Sequence, residues 1–237
     1  MVKLGIIGAM KEEIDTLLAA MTEKREEVHA GSTYYAGRLG NLPAVVVECG
    51  VGKVNAALSA QILCDCYGVT HLVNTGIAGS LDPALDIGDL VVSTDAVYHD
   101  FDCVPFGYPL CQVPGMDTTA FPADRNLMEL ALAAADAVNP GHCTMGRIAS
   151  GDQFIASPRQ KQRIVSVTGA MCTEMEGAAI AHTAYRNGVP FVILRAISDK
   201  ADDSAHMDYP AFERLAAEHC AEVTRILAGK LAERTGE

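Results

Sequence analysis

Carboxylates set among small apolar residues are the part of this sequence best suited to chemistry. In CTEMEGAAIAHTA, residues 172–184, Glu174 and Glu176 flank Met175 where an Ala-rich helix should begin. A carboxylate is costly to bury unless something donates hydrogen bonds to it. Other acidic residues end other apolar runs: Glu12 and Glu13 after GIIGAM, Asp152 after IASG, and Asp199 and Asp202 around the end of PFVILRAIS. With them stand Met10, the NTGIAG turn of residues 74–79 (which includes Ile77 and Gly79), Phe154, Ile155, Arg195 and Ser198. No Ser-His-Asp set converges, and no cluster has metal-ligand spacing. Carboxylates accept hydrogen bonds from vicinal hydroxyls, and Met, Phe and Ile cover an aromatic face. The inventory suits a neutral, polyhydroxylated ligand with a flat apolar part.

Each of these residues also has an ordinary structural reading. Glu12 and Glu13 open a helix, where the dipole favours negative charge, and Glu176 fits a first helical turn. Asp199 fits the N-cap of a following turn, and Asp152 a turn after Ser-Gly. Phe154 and Met175 fit a core. What sets them apart as a group is that all fall at the ends of apolar runs.

Those runs alternate with striped helices. KLGIIGAM reads as a strand and KEEIDTLLAAM as a helix, with Ile14, Leu17, Leu18 and Met21 on one face. PAVVVECGVG, HLVNTGIAG, DLVVSTDAVYHD, MGRIASGDQF and PFVILRAISD are further strands. KVNAALSAQILCDCYG, DRNLMELALAAADAV, SPRQKQRIVSV and EMEGAAIAHTAYRNG are helices. The tail from DYPAF onward is a long amphipathic helix with Phe212, Leu215, Ala216, Val223, Ile226 and Leu227 on its apolar side. Residues 103–122, rich in Pro, Gly and aromatics, form the one long loop. The expected fold is α/β: a single domain over residues 1–237, with a twisted mixed, largely parallel central sheet and helices on both faces. In open sheets of this kind the ligand lies beyond the carboxyl ends of the strands, where the carboxylates fall.

Composition narrows the partners. Net charge is −12, which argues against nucleic acid and anionic membrane surfaces. No stretch approaches the roughly 20 apolar residues of a membrane span, and the N-terminus lacks a secretory h-region. None of the eight cysteines forms a C-x-x-C pair; reduced thiols in a cytoplasmic protein are expected, several of them in the core. ECGVGKVNA is not a phosphate loop, since Val47 stands where the first Gly is needed and Val54 follows Lys53. It is one glycine short of a methyltransferase turn, and GIIGAM lacks dinucleotide-binding spacing.

The segments GIIGAMKEEI, CGVGKVNAA, NTGIAGSL, GDLVVSTDAVYHD, FGYPLCQVPG, SGDQFI, EMEGAAIA and RAISDKAD, taken as an ordered set over nearly the whole chain, resemble the purine nucleoside phosphorylase/uridine phosphorylase superfamily. Within it they are most similar to the bacterial nucleosidases that cleave adenine from 5′-thio-substituted ribose. The resemblance implies hydrolysis of that N-glycosidic bond without cofactor or metal, in methionine salvage and methyl-group recycling, by a homodimer. It puts the water-activating glutamate on Glu13, the purine-protonating aspartate on Asp199, and the ribose-holding glutamate on Glu176, with Met175 against the sugar. Ile155 backbone would read the adenine edge, with Phe154 stacked near the base; Met10, Ile77 and Gly79 would line the site. Ser198 and Arg195 would belong to the substrate-binding set, as supports for the aspartate and its neighbourhood, Tyr209 would cover the site, and a partner subunit would lend Phe106 and Pro114 to the 5′ pocket. Glu174 receives no role and reads as a structural hydrogen-bonding residue. Ile77, Gln153 and the Tyr209 hydroxyl depart from the family pattern in ways that bear on the 5′ substituent.

A leaving adenine needs a proton, so Asp199 is expected to have its pKa raised by burial; attack by water needs an ionised carboxylate, which the first helical turn favours at Glu13. A phosphorylase, a nucleosidase for another purine compound such as a futalosine-type molecule, and a non-catalytic nucleoside-binding protein are the competing readings.

Overall fold

A computed structural model describes residues 2–202 and 204–236, leaving aside the side chains of 206–208 and 211. The chain runs β1 (Leu4–Gly8), α1 (Lys11–Ala20), β2 (Met21–His29), β3 (Ser32–Leu39), β4 (Leu42–Glu48), α2 (Lys53–Asp65), β5 (His71–Ser80) and β6 (Leu90–Tyr98). It continues through β7 (Ala120–Pro122), α3 (Arg125–Val138), β8 (Cys143–Ser150), α4 (Pro158–Thr168), β9 (Cys172–Glu174), α5 (Gly177–Asn187), β10 (Phe191–Asp199) and α6 (Ala205–Thr235).

The sheet is more closed and less parallel than expected. Strands β5, β10, β6, β8 and β9 pair in turn, and β9 pairs back onto β5, so they close a barrel. From β5 the sheet extends outward through β1, β4, β3 and β2. Pairings of β1 with β4 and β5, β10 with β5, and β8 with β6 and β9 are parallel; the other five are antiparallel. The sheet is therefore mixed, not largely parallel. The apolar runs were right as strands, but continuous burial does not reveal strand direction, and closure buries antiparallel strands as fully as parallel ones.

Helices cover both faces. One core joins α1, α3 and α6 to the sheet through Leu17, Leu127 and Leu227; the other joins α2 and α5 through Leu63 and Ile180. In α6 the buried stripe is Ala216, Ala217, Cys220, Ala221, Val223, Leu227 and Ala228. Phe212 and Leu215, expected inside, are exposed, because small residues carry the contact and let the helix approach closely. The β2–β3 hairpin had no counterpart in the sequence reading. Its outer strand, MTEKREEVH, is exposed almost throughout. Its charges guard an open sheet edge and erase the alternation that would have marked it. No helix among the described residues is long and apolar enough to cross a membrane, and all eight cysteines are free.

Candidate active site

The topology opens a gap where the carboxylates collect. β5 pairs with β1 through Asn74 and with β9 only from Gly79 onward. In the interval, Glu13 Oε1 accepts the Ile77 N–H at 3.1 Å. Glu13 is the third residue of α1, and its Oε2 accepts the Ala9 and Met10 N–H groups at 2.6 and 3.1 Å. The ordinary reading was thus right in part: the side chain caps its own helix. Three backbone donors fix the carboxylate, and the Ile77 contact uses main chain alone, so it is indifferent to the side chain at 77. Burial pushes the Glu13 pKa up from the usual carboxylate value, opposed by the Arg195 charge and the three N–H bonds. Helix-start stabilisation of the ionised form, expected from sequence, is therefore outweighed by desolvation.

Asp199 closes β10, where the register against β5 shifts between Ile197 and Asp199. Such an irregularity re-aims side chains, and here the consecutive residues Ser198 and Asp199 both reach the cavity. Asp199 Oδ2 accepts the Ser198 hydroxyl at 2.9 Å and Oδ1 accepts the Ala201 N–H at 2.8 Å. A Cβ added at Gly79 would come within 2.8 Å of Asp199 Oδ1, so only glycine leaves room for this carboxyl group. Gly76 likewise clears space for Glu13, whose Oε1 would lie 2.4 Å from a Cβ there. Glu13 thus packs against β5 at Gly76 and Ile77, and Asp199 packs against the same strand at Gly79.

Glu174 and Glu176 have different tasks. The CTE segment is strand β9, and α5 begins only at Gly177; the helix expected from Glu174 starts later because Glu174 is paired in the sheet beside Ser150. Its Oε2 accepts the N–H groups of Glu176 and Gly177 at 3.0 and 2.7 Å, its Oε1 accepts the Ser150 hydroxyl, and it is ion-paired with Arg195. Glu174 borders the cavity too, but its two oxygens are engaged by these groups. Glu176 turns to the cavity. Its Oε1 accepts the Gly52 N–H at 2.8 Å and its Oε2 lies 3.8 Å from Arg195 Nη2. Burial, followed by the nearby Glu174 charge, pushes its pKa up to about 8.

Arg195 needs a correction as a substrate-binding residue. It is fully buried beneath the site, absent from the cavity wall, and bonded to Glu174 and to Asn74 Oδ1 at 2.5 Å. A guanidinium is the one side chain here able to neutralise several carboxylates at once. Asn74 is held in turn by its Nδ2, which donates to Ile7 O at 2.9 Å.

One cavity of about 310 Å³ gathers Met10, Glu13, Ile77, Gly79, Phe154, Ile155, Met175, Glu176, Ser198, Asp199 and Tyr209. Tyr209 stands edge-on to Phe154 at 5.6 Å, and its hydroxyl lies 3.3 Å from Met10 Sδ and 3.1 Å from Glu213 Oε1. Ala78, within the 74–79 turn, lines the wall too, and Ala9, Val51 and Thr173 line it but were not foreseen; the signal for Val51 was the ECGVGKVNA turn, set aside once it failed as a phosphate loop. Phe106 and Pro114 lie outside this cavity, in the long loop; Phe106 is 81% exposed. The cavity wall, among the described residues, carries no Lys or Arg. Buried carboxylates that converge on one chamber are groups able to protonate a leaving group and to activate a water.

Comparison with known proteins agrees with that chemistry. The Phosphorylase superfamily profile matches residues 3–228. A 5′-methylthioadenosine/S-adenosylhomocysteine nucleosidase of Geobacillus thermodenitrificans is 40% identical over 222 residues, covering 93% of this chain and 94% of that protein. A crystal structure of the Neisseria meningitidis enzyme of the same name, in complex with methylthio-immucillin-A, superposes with a TM-score of 0.94 at 33% identity, over 97% of this chain and 100% of that one. A Helicobacter pylori futalosine hydrolase superposes with a TM-score of 0.92 at 34% identity, over 97% and 98%. With the match running nearly end to end and the carboxylates converging on one cavity, the chain belongs to the phosphorylase superfamily.

Proposed function

We infer that this chain is an N-glycosyl hydrolase that splits 5′-methylthioadenosine and S-adenosylhomocysteine, releasing adenine and a 5′-substituted ribose. The observation that carries the reading is that Glu13 and Asp199, from opposite ends of the sequence, face one cavity with Glu176 beside them. The bond breaks through an oxocarbenium-like state with positive charge on the sugar and negative charge on the departing base. Asp199 protonates the base, removing the second charge. Glu13 takes a proton from the attacking water, and the burial that raises its pKa makes it a stronger base than an exposed carboxylate. Glu176 accepts the ribose hydroxyls, and the developing sugar cation favours its ionised form against the burial that raises its pKa, so their attraction is stronger in the transition state than in the ground state. Ile155 backbone meets the adenine edge, Phe154 and Met175 cover base and sugar, and Tyr209 closes the opening over Met10. Arg195 acts from beneath through Glu174 and Glu176.

A second copy of the chain completes the 5′ side, with the partner's loop presenting Phe106 and Pro114; the high exposure of Phe106 supports this. The enzyme works in the cytoplasm in methionine salvage, and 5′-deoxyadenosine fits the same cavity as a smaller substrate. A phosphorolytic reaction would need a cation to hold phosphate; no Lys or Arg lines the described wall, and Asn74 and Glu174 engage Arg195. A futalosine-cleaving nucleosidase is a second reading, favoured by the fold match to the Helicobacter enzyme.

The test is to incubate the protein with methylthioadenosine, adenosylhomocysteine, futalosine and inosine, with and without phosphate, and to follow free base. Adenine release from the two thio-nucleosides, independent of phosphate, is expected. Release that requires phosphate, or turnover confined to futalosine or inosine, overturns the reading.

A further inference from the structure

The turn opening α2 lacks the phosphate-loop pattern, yet it touches two parts of the site at once. Consecutive N–H groups point to carboxylates from different segments: Gly52 N donates to Glu176 Oε1 at 2.8 Å, and Lys53 N donates to Asp152 Oδ1 at 2.8 Å. Donors one residue apart are held at fixed spacing by the peptide geometry, and at a helix start they favour negative partners. Gly52 has φ 102°, and a Cβ there would meet Asp152 Oδ1 at 3.3 Å, so the turn needs glycine twice over. Lys53 closes the arrangement from its other end. Its Nζ donates to Asp100 Oδ2 at 2.6 Å, lies 3.7 Å from Asp152 Oδ2, and sits over the Tyr98 ring. The same Asp100 oxygen accepts the Asp152 N–H at 3.0 Å. Asp152 itself is absent from the cavity wall, but the next three residues, Gln153, Phe154 and Ile155, line it.

We propose that Asp152 is a positioning residue that sets the distance between the base-covering segment 153–155 and the ribose carboxylate Glu176, by docking both on adjacent N–H groups of α2. The proposal rests on the nucleosidase reading and adds to it a coupling of two subsites. A nucleoside spans both and is sensitive to their spacing; free adenine occupies one and is not.

Asp152→Ala removes the acceptor for Lys53 N–H. A single hydrogen bond to a half-exposed carboxylate corresponds to roughly five- to tenfold in affinity, so KM for methylthioadenosine should rise by that factor while adenine dissociation, read by calorimetry, stays within about twofold. Asp152→Asn retains an oxygen that accepts from Lys53 N–H and should recover most of the loss. Lys53→Met keeps both backbone donors and should cost less than Asp152→Ala. Equal weakening of adenine and nucleoside, or an unchanged KM in Asp152→Ala, overturns the proposal, because a role in local folding alone would lower the active fraction without moving KM. Wild-type turnover is measured in the same series. Its absence overturns the functional reading as well, whereas normal turnover with no selective loss in Asp152→Ala overturns the coupling alone. Should Asp152→Ala not fold, Asp152→Leu, which also lacks the acceptor but keeps a side chain of similar size, is read on the same two ligands by the same criteria.

Discussion

The inner wall of the cavity and its mouth are built on different principles. On the inner wall Glu13, Glu176 and Asp199 are all at most 5% exposed, and strand ends, main-chain N–H groups and one buried guanidinium hold them. At the mouth Phe154 is 44% exposed and Val51 49%, and Tyr209 reaches across from α6 through one edge-to-face contact. The wall is fixed by topology, since moving Glu13 would disturb β5 and α1 together. At the mouth Tyr209 leans on Phe154 and Met10 through its side chain. If the proposed roles hold, with the acid and base on the wall, substitutions in the two regions should differ in kind.

The largest effect should come from the proposed acid and base. Glu13→Gln and Asp199→Asn are each expected to lower kcat by roughly 10²–10⁴-fold, the scale of a lost general acid or base. Glu13→Gln should still bind a non-hydrolysable nucleoside analogue, as calorimetry would show. Near-normal turnover of either variant would take the chemistry off the wall.

Arg195→Met should come next, and chiefly in stability. Its removal leaves Glu174 buried without a counter-ion, a loss of about 3–5 kcal/mol for a broken buried pair. A clear fall in Tm is expected, with activity lost as Glu176 shifts. A variant as stable as wild type would mean that the carboxylates hold their positions without the guanidinium.

The wall should also show in the pH dependence of the empty protein. Glu176 has its pKa pushed up to about 8 in the fold, against 4.5 as the ordinary value. Between those values the folded state binds more protons than the unfolded one, so this group lowers stability as pH rises from about 4.5 to about 8. Glu13 acts in the same direction. The slope from one group is at most about 1.4 kcal/mol per pH unit, and Glu176→Gln should flatten it. Parallel Tm profiles for wild type and variant across that window would show that Glu176 is ionised throughout, and the wall would then be less desolvated than its burial indicates.

The same division explains what could be read from sequence. The carboxylates were legible because an acidic residue at the end of an apolar run is chemically conspicuous, and strands β1, β4, β5, β6, β8 and β10 were legible from their apolar continuity. Strand direction and closure were not, since both depend on pairings between residues far apart in the chain. Arg195 was placed at the substrate because sequence position cannot say whether a side chain at a strand end faces the cavity or lies beneath it. The link from Gly52 to Glu176 is main chain to side chain across 124 residues, and no local pattern encodes it. Phe212 and Leu215 were misassigned because hydrophobicity alone does not show that alanines and a cysteine make the actual helix contact.

The smallest effect should lie at the mouth, where it bears most directly on the comparison. Tyr209→Phe removes a hydroxyl that touches Met10 Sδ and Glu213 but keeps the ring against Phe154. A partly exposed hydrogen bond of this kind contributes about 0.5–1.5 kcal/mol at most, and the lost contacts are to the protein, not to the reacting centre. kcat should therefore stay within about twofold, and kcat/KM for methylthioadenosine and for adenosylhomocysteine should each change less than about tenfold, by unequal amounts. Unequal shifts would mark the mouth as the place where 5′ groups are told apart. A large and equal fall in kcat for both would mean that Tyr209 holds Met10 and, through the Met10 N–H, the Glu13 carboxylate; the mouth would then be part of the wall.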